Sequence, residues 1–248
     1  MRIPIIRGLI ERRVLVNYRV DPTVLAAMLP APFRPQVVRG YGIAGICLIR
    51  LKQIRPKFLP GILGIASENA AHRIAVEWDA EDGTQCGVFI PRRDTSSRLN
   101  AWAGGRIFPG IHYRARFEVL ESDSSMHVVM QSVDRAAHLR VVGRPASRMP
   151  DDSIFPSLDE VSRFFEAGSL GYSPRAVSGH YDRLELVTRQ WNVEPFAVEH
   201  VESSLFDDRD RFPSGSIALD NALLMRNVEH QWRQGQPLCA GDYQVAPA

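Results

Sequence analysis

The sequence predicts a mainly β (α+β) protein, an antiparallel barrel or sheet with a few short helices, and three observations carry that prediction. Stretches in which apolar and polar residues alternate recur along the chain, which is the period of half-buried strands. Helical start and stop signals are confined to three short stretches. Turn-forming clusters of Gly, Pro, Asp and Ser separate the alternating runs at close intervals. Many strands with few helices point to an antiparallel barrel or sandwich edged by short helices.

The elements follow in order. From Arg12 to Val20, Val14, Val16, Tyr18 and Val20 share one face opposite Arg13, Leu15, Asn17 and Arg19. Asp21 then caps a short helix with Pro22 at its first position, and Pro30 closes it. Gly42 to Ile54 is apolar and β-branched, a more deeply buried strand that ends at Pro56 to Pro60. Two strands, Glu68 to Asp79 and Gln85 to Arg92, flank Ala80-Glu81-Asp82-Gly83 as a hairpin.

Ser96 to Arg106 reads as a short helix loosened by Gly104 and Gly105. Ile111 to Leu120, Met126 to Val133 and Ala136 to Val142 form a meander. Ser157-Leu158-Asp159-Glu160 is a capping box opening a helix that Gly168 stops. Strands return at Arg183 to Gln190, Phe196 to Glu202 and Ala222 to Trp232. No flexible linker interrupts the chain, so one domain over residues 1–248 is expected.

Composition removes several function classes. The apolar stretch from Ile3 to Ile10 is broken by Pro4, Arg7 and Gly8, too short for a membrane span and unlike a signal peptide. Three distant cysteines, Cys47, Cys86 and Cys239, make neither a zinc pattern nor a disulfide framework, which points to a reducing, cytoplasmic setting. Residues 1–124 carry 18 basic and 11 acidic side chains, whereas the remainder carries 12 and 17. The arginines are scattered rather than clustered, so attraction between the halves explains the asymmetry better than nucleic acid does. Seven dispersed histidines lack metal-ligand spacing, and serine-hydrolase elbows and phosphate-binding glycine loops are missing.

Several residues could carry chemistry. Glu68 shares a strand face with Ile74, Val76 and Trp78; it is either a buried carboxylate needing a partner or a solvated residue before the strand begins. His72 lies on the same face, about 13 Å further along, as a second cavity residue or a satisfied core histidine. Arg92, Arg93, Arg98 and Arg106 surround the helix after the hairpin; they make either a carboxylate-binding cluster or a solvated loop. Glu199-His200 and Glu229-His230 point to opposite strand faces and form no acid–base couple.

The run Asn17-Tyr18-Arg19-Val20-Asp21-Pro22, followed by Leu25, Leu29-Pro30 and Pro32-Phe33, resembles the N-terminal segment of the acetoacetate decarboxylase-like superfamily. The Glu68 strand, the hairpin, the helical turn and Pro109-Gly110 follow in the same order. More closely, the chain resembles a bacterial family of unknown function placed near that superfamily. The echoes are Glu68-Asn69-Ala70-Ala71-His72-Arg73, Gly87-Val88-Phe89, Gly168 to Ser173, and Leu223-Leu224-Met225-Arg226 with Trp232.

The resemblance implies an internal pocket for a small carboxylate or carbonyl compound. The decarboxylases work through a lysine that forms a Schiff base with a keto acid. The matching stretch here, Ala103-Gly104-Gly105-Arg106, holds none, and arginine cannot replace it. The sequence contains two lysines, Lys52 in an apolar strand and Lys57 in a loop. The expected site therefore comprises Glu68 and Arg106 as the reacting pair, with Arg13, His72, Arg92, Arg98 and His112 around the ligand. No metal and no cofactor is expected. The expected partner is a small anionic or carbonyl ligand, without nucleic acid or membrane, and a homo-oligomer stays open. A non-catalytic binding or scaffold protein on the same fold is the alternative.

Overall fold

The computed structural model describes residues 4–239. Strand β1 runs Ile6–Val20, helix α1 Pro22–Met28, and two short strands, β2 Arg34–Pro35 and β3 Val37–Val38, lead to β4 Tyr41–Pro56. A single 3-10 turn, Gly61–Leu63, precedes β5 Ile65–Ala80, β6 Gly83–Thr95 and helix α2 Arg98–Ala103. The meander comprises β7 Tyr113–Glu121, β8 Met126–Ser132 and β9 His138–Pro145. Helix α3 Leu158–Ala167 is followed by β10 Leu170–Pro174, β11 His180–Thr188, β12 Glu194–Ser203, β13 Ile217–Gln234 and β14 Leu238–Cys239.

The caps act where the sequence places them. The Asp21 side chain accepts from Thr23 N at 2.8 Å, and Ser157 Oγ accepts from Glu160 N at 3.2 Å. Strand β10, directly after the Gly168 helix stop, is not among the strands predicted from alternation. Its five residues are too few for periodicity to register, and neighbours on both sides hold them in the sheet. Among the described residues, no helix is long and apolar enough to cross a membrane.

Among the described residues, fourteen strands join one sheet. Antiparallel pairings dominate, but β6 runs parallel to both β7 and β10, so the sheet is mixed. The pairings also close on themselves. Passing from β1 through β4, β5, β6, β10, β11 and β13 returns to β1. A second circuit leaves β6 through β7, β8, β9 and β12 and rejoins β13. Strands β13, β1, β4, β5 and β6 thus form a wall shared by both circuits.

A shared wall is buried on both faces. On β1, Val14, Val16 and Val20 pack into the main core with Met130, Val141 and Phe196 of the second circuit. Leu15 points the other way, against Cys47, Phe165 and Leu223. The close approach of β1 and β4 requires glycine at one point. A Cβ on Gly45 would sit 2.4 Å from the Val16 carbonyl oxygen.

Candidate functional site

The first circuit encloses a cavity of about 490 Å³. Its walls carry Arg13 from β1, Cys47 from β4, Arg73 from β5 and Arg93 from β6, with Trp232 from β13. Phe165 of α3 and Trp102 of α2 also border it. The remaining lining is predominantly aliphatic.

Four arginines border this apolar space, Arg55 at its mouth and Arg13, Arg73 and Arg93 farther in. Arg13 Nε donates to Cys47 Sγ at 3.4 Å, its guanidinium lies 5.6 Å from the centre of the Trp191 ring, and its buried Nη1 lacks a hydrogen-bond partner. Arg73 donates to Asn17 Oδ1 and lies 4.4 Å over the Phe165 ring, while its buried Nε is unpartnered. Arg93 Nε donates to Ser173 Oγ at 2.9 Å. Among the described residues, none of these last three is within ion-pair distance of a carboxylate, whereas the buried Arg12 has two.

Burial dominates the electrostatics of this cluster. It pulls Arg73 down to about 9, with the like charge of Arg13 adding to the effect, and Arg93 down to about 10. Both stay cationic at neutral pH. His112 lines the same cavity and its Nδ1 lies 2.9 Å from the Gly110 carbonyl. Burial, reinforced by Arg93, lowers it to about 4, so its imidazole is neutral at pH 7.

Of the residues expected at the site, Arg13 and His112 line the cavity, as does Arg93 from the arginine cluster. Glu68 and His72 do not. On β5 they share the face of Ile74, Val76 and Trp78, the main-core side, whereas Ala71 and Arg73 face the cavity. His72 is 2% exposed, with Nε2 lying 3.2 Å from Ser203 Oγ and the ring against Phe206. It behaves as a satisfied core histidine, which burial lowers to about 4.

Glu68 belongs to a separate ion cluster. Pairing register sets Arg226, Arg12, Arg50 and Glu68 side by side across β13, β1, β4 and β5. Three adjacent arginines repel, and carboxylates relieve them. Glu68 binds Arg12 at 2.6 Å and also Arg50; Glu121, from the end of β7, binds the same two at 2.9 and 3.1 Å.

The other arginines are placed elsewhere. Arg92 is held by Asp94 and Asp134, both at 2.9 Å, and stacks on Tyr113. Arg98 is exposed on α2, and exposed Arg106 donates to the Trp102 carbonyl at 2.8 Å. Lys52 pairs with Glu11 and is half exposed, and Lys57 is exposed in a turn, so neither amine reaches the cavity. Among the described residues, no three His, Cys, Asp or Glu side chains converge as metal ligands.

Arg73 and Cys47 are the cavity residues that the sequence reading passed over. The available signal was alternation: residues Ala71, Arg73 and Ala75 form the other face of the Glu68 strand. Arg93 was noticed only as part of the loop cluster. Arg92 and Arg93 pair with His72 and Ala71 in unbroken register, so strand alternation turns the two neighbours to opposite faces.

Comparison with solved structures returns the same architecture. Acetoacetate decarboxylase from Legionella pneumophila aligns with a TM-score of 0.62 at 12% identity, covering 94% of this chain and 87% of that one. The enduracididine biosynthesis enzyme MppR, solved with pyruvate, aligns at 0.61 and 11%, covering 98% and 93%. An acetoacetate decarboxylase-like enzyme from Sphingomonas wittichii RW1 aligns at 0.57 and 12%, covering 95% and 92%. At such identities the likeness concerns the fold. No curated protein matches the sequence. Residues 10–221 match the DUF2071 family, described as an uncharacterized conserved protein, and the chain belongs to that family.

Proposed function

We propose that this protein binds a small carboxylate or carbonyl compound inside the first strand circuit, held by Arg13, Arg73 and Arg93, without imine chemistry. One observation carries the reading: three guanidinium groups converge on one apolar cavity, and none has a carboxylate partner among the described residues. Buried charges need counter-charges, and guanidinium is matched to carboxylate geometry. Pyruvate in the structurally similar MppR supports an anion of this size in such a fold.

Binding is favoured over proton transfer. The cavity presents cations, a thiol at Cys47 and the neutral His112; the carboxylate that borders it, Asp94, is engaged by Arg92, and the Glu68 carboxylate outside it by Arg12 and Arg50. If a reaction follows binding, the guanidinium groups suit it to stabilising negative charge that develops on a bound carbonyl. The three free cysteines support a reducing, cytoplasmic location.

Calorimetric titration with pyruvate and acetoacetate tests the proposal. Wild-type protein should bind at least one of them, and Arg93→Gln should weaken that binding about tenfold or more, as expected for losing a charge-assisted hydrogen bond. Failure of the wild type to bind either acid, or unaltered binding by Arg93→Gln, overturns the reading. Borohydride treatment with pyruvate should leave the intact mass unchanged. An adduct abolished by Lys52→Ala would overturn the exclusion of imine chemistry.

A further inference from the structure

The cavity is larger and more apolar than a three-carbon keto acid needs. At water's roughly 30 Å³ per heavy atom, a volume near 490 Å³ takes on the order of sixteen heavy atoms. Arg13 is level with Ile49 on β4, which pairs with Asn69 on β5. From there the wall runs four residues along β5 to Ile65, about 13 Å. Its inner surface over this stretch is mainly aliphatic, carried by Ile49, Leu51, Ile54 and Ile65 with Leu186 of β11, and Asn69 and Asn100 are its polar members.

The mouth is apolar as well. Leu63, Leu99, Trp102 and Ile107 border the cavity, and each is more than half exposed to solvent. Phe58 and Ile62, beside Leu63 in the turn between β4 and β5, are exposed too. Large apolar side chains gathered round one opening mark a binding surface, whereas isolated ones need no explanation.

Charge is distributed the opposite way. Arg55, at the mouth, is satisfied by backbone carbonyls, its Nε donating to Leu59 O at 3.1 Å and its Nη1 to Gln53 O at 2.6 Å. The arginines farther in, Arg13 and Arg73, retain buried nitrogens without a partner. An anion gains most at the inner end, and an apolar body gains most along the walls and at the rim.

We infer that the ligand is an amphipathic carboxylate, its anionic head at Arg13, Arg73 and Arg93 and its aliphatic or aryl-alkyl body extending past Ile54 and Ile65 to Leu63, Leu99, Trp102 and Ile107. The inference rests on the anion-binding reading and adds the chemical class of the rest of the ligand.

A homologous series tests it: pyruvate, butyrate, hexanoate, octanoate and decanoate, with 1-octanol as a headless control, titrated calorimetrically into the full chain. Affinity should rise by up to about fourfold per added methylene until the cavity is filled. Octanoate should bind at least tenfold more tightly than 1-octanol. Trp102→Ser and Leu99→Ser change exposed positions, so folding, checked by circular dichroism, should persist while the chain-length slope flattens.

Equal affinity for butyrate and octanoate overturns this inference and leaves the anion-binding reading standing. Equal affinity for octanoate and 1-octanol overturns the anion-binding reading. Binding of none of these probes overturns both.

Discussion

Arg12 donates through Nη2 to Glu68 Oε2 at 2.6 Å across two strands of the shared wall, with Arg12 only 1% exposed. The contact sits on the face of β1 and β5 that looks away from the arginine-lined cavity. It ties Glu68 to the second circuit, where Glu121 completes the cluster. The carboxylate that the family resemblance suggested for chemistry is thus part of the structural wall.

Glu68→Gln should therefore act on stability. Removing the charge leaves Arg12 and Arg50 facing each other with Glu121 alone between them. The expected loss is about 3 kcal/mol, the lower end for breaking a buried pair, because that bridge persists. Urea unfolding measures it. Pyruvate affinity should stay within about twofold of wild type, as expected for a change outside the cavity.

Arg13→Met should have the opposite signature. The methionine fills similar space and removes a cation that faces Arg73 without a carboxylate between them. Unliganded protein should gain about 1 kcal/mol in the same assay, because functional sites commonly sacrifice stability. Pyruvate binding should weaken about tenfold. A variant destabilised by more than 1 kcal/mol would mean that Arg13 is compensated within the protein.

Acid should unfold the protein partly through its buried histidines. Burial lowers His72 to about 4, against an unfolded value near 6.5. The folded state then binds fewer protons than the unfolded one between these values. Its contribution is complete above pH 6.5 and is lost as pH falls toward 4, up to about 3 kcal/mol. His112 adds in the same direction. Unfolding free energies of wild type and His72→Gln at pH 7.5, 6 and 5 test this; the variant should show the shallower decline.

A lysine can be returned to the cavity at one position and not at its neighbour. Ala103 borders the cavity, whereas a Cβ on Gly104 would lie 2.5 Å from His112 Nδ1. Ala103→Lys should form a borohydride-trapped adduct with acetoacetate, visible by intact mass. Its amine would enter an apolar space already holding cations, and both conditions lower an amine pKa. Gly104→Lys should instead destabilise the protein by about 1 kcal/mol or more, as overpacking does, with a lower melting temperature as the readout.

Much of the fold was legible because strand periodicity and capping are local. Alternation from Arg12 to Val20 separated Val14 and Val16 from Arg13 and Leu15, and both sets are buried on opposite sides of β1. The capping box at Ser157 needed no tertiary information either. Alternation also put Glu68, Ile74 and Trp78 on one face, as found, but could not say what that face meets.

That last choice belongs to closure of the chain. Strands β13, β1, β4, β5 and β6 have protein on both sides, so hydrophobicity marks neither face as the outer one. Only the pairing of β10 and β11 with β6 and β13 makes the Arg73 face a cavity. Only the return through β7, β8, β9 and β12 makes the Glu68 face core. The sequence by itself determined a mainly β chain with two lysines, neither in the stretch where the decarboxylase amine was expected. Tertiary structure decided which arginines meet, because a cavity is made by strands distant in sequence, and no local pattern records which face they enclose.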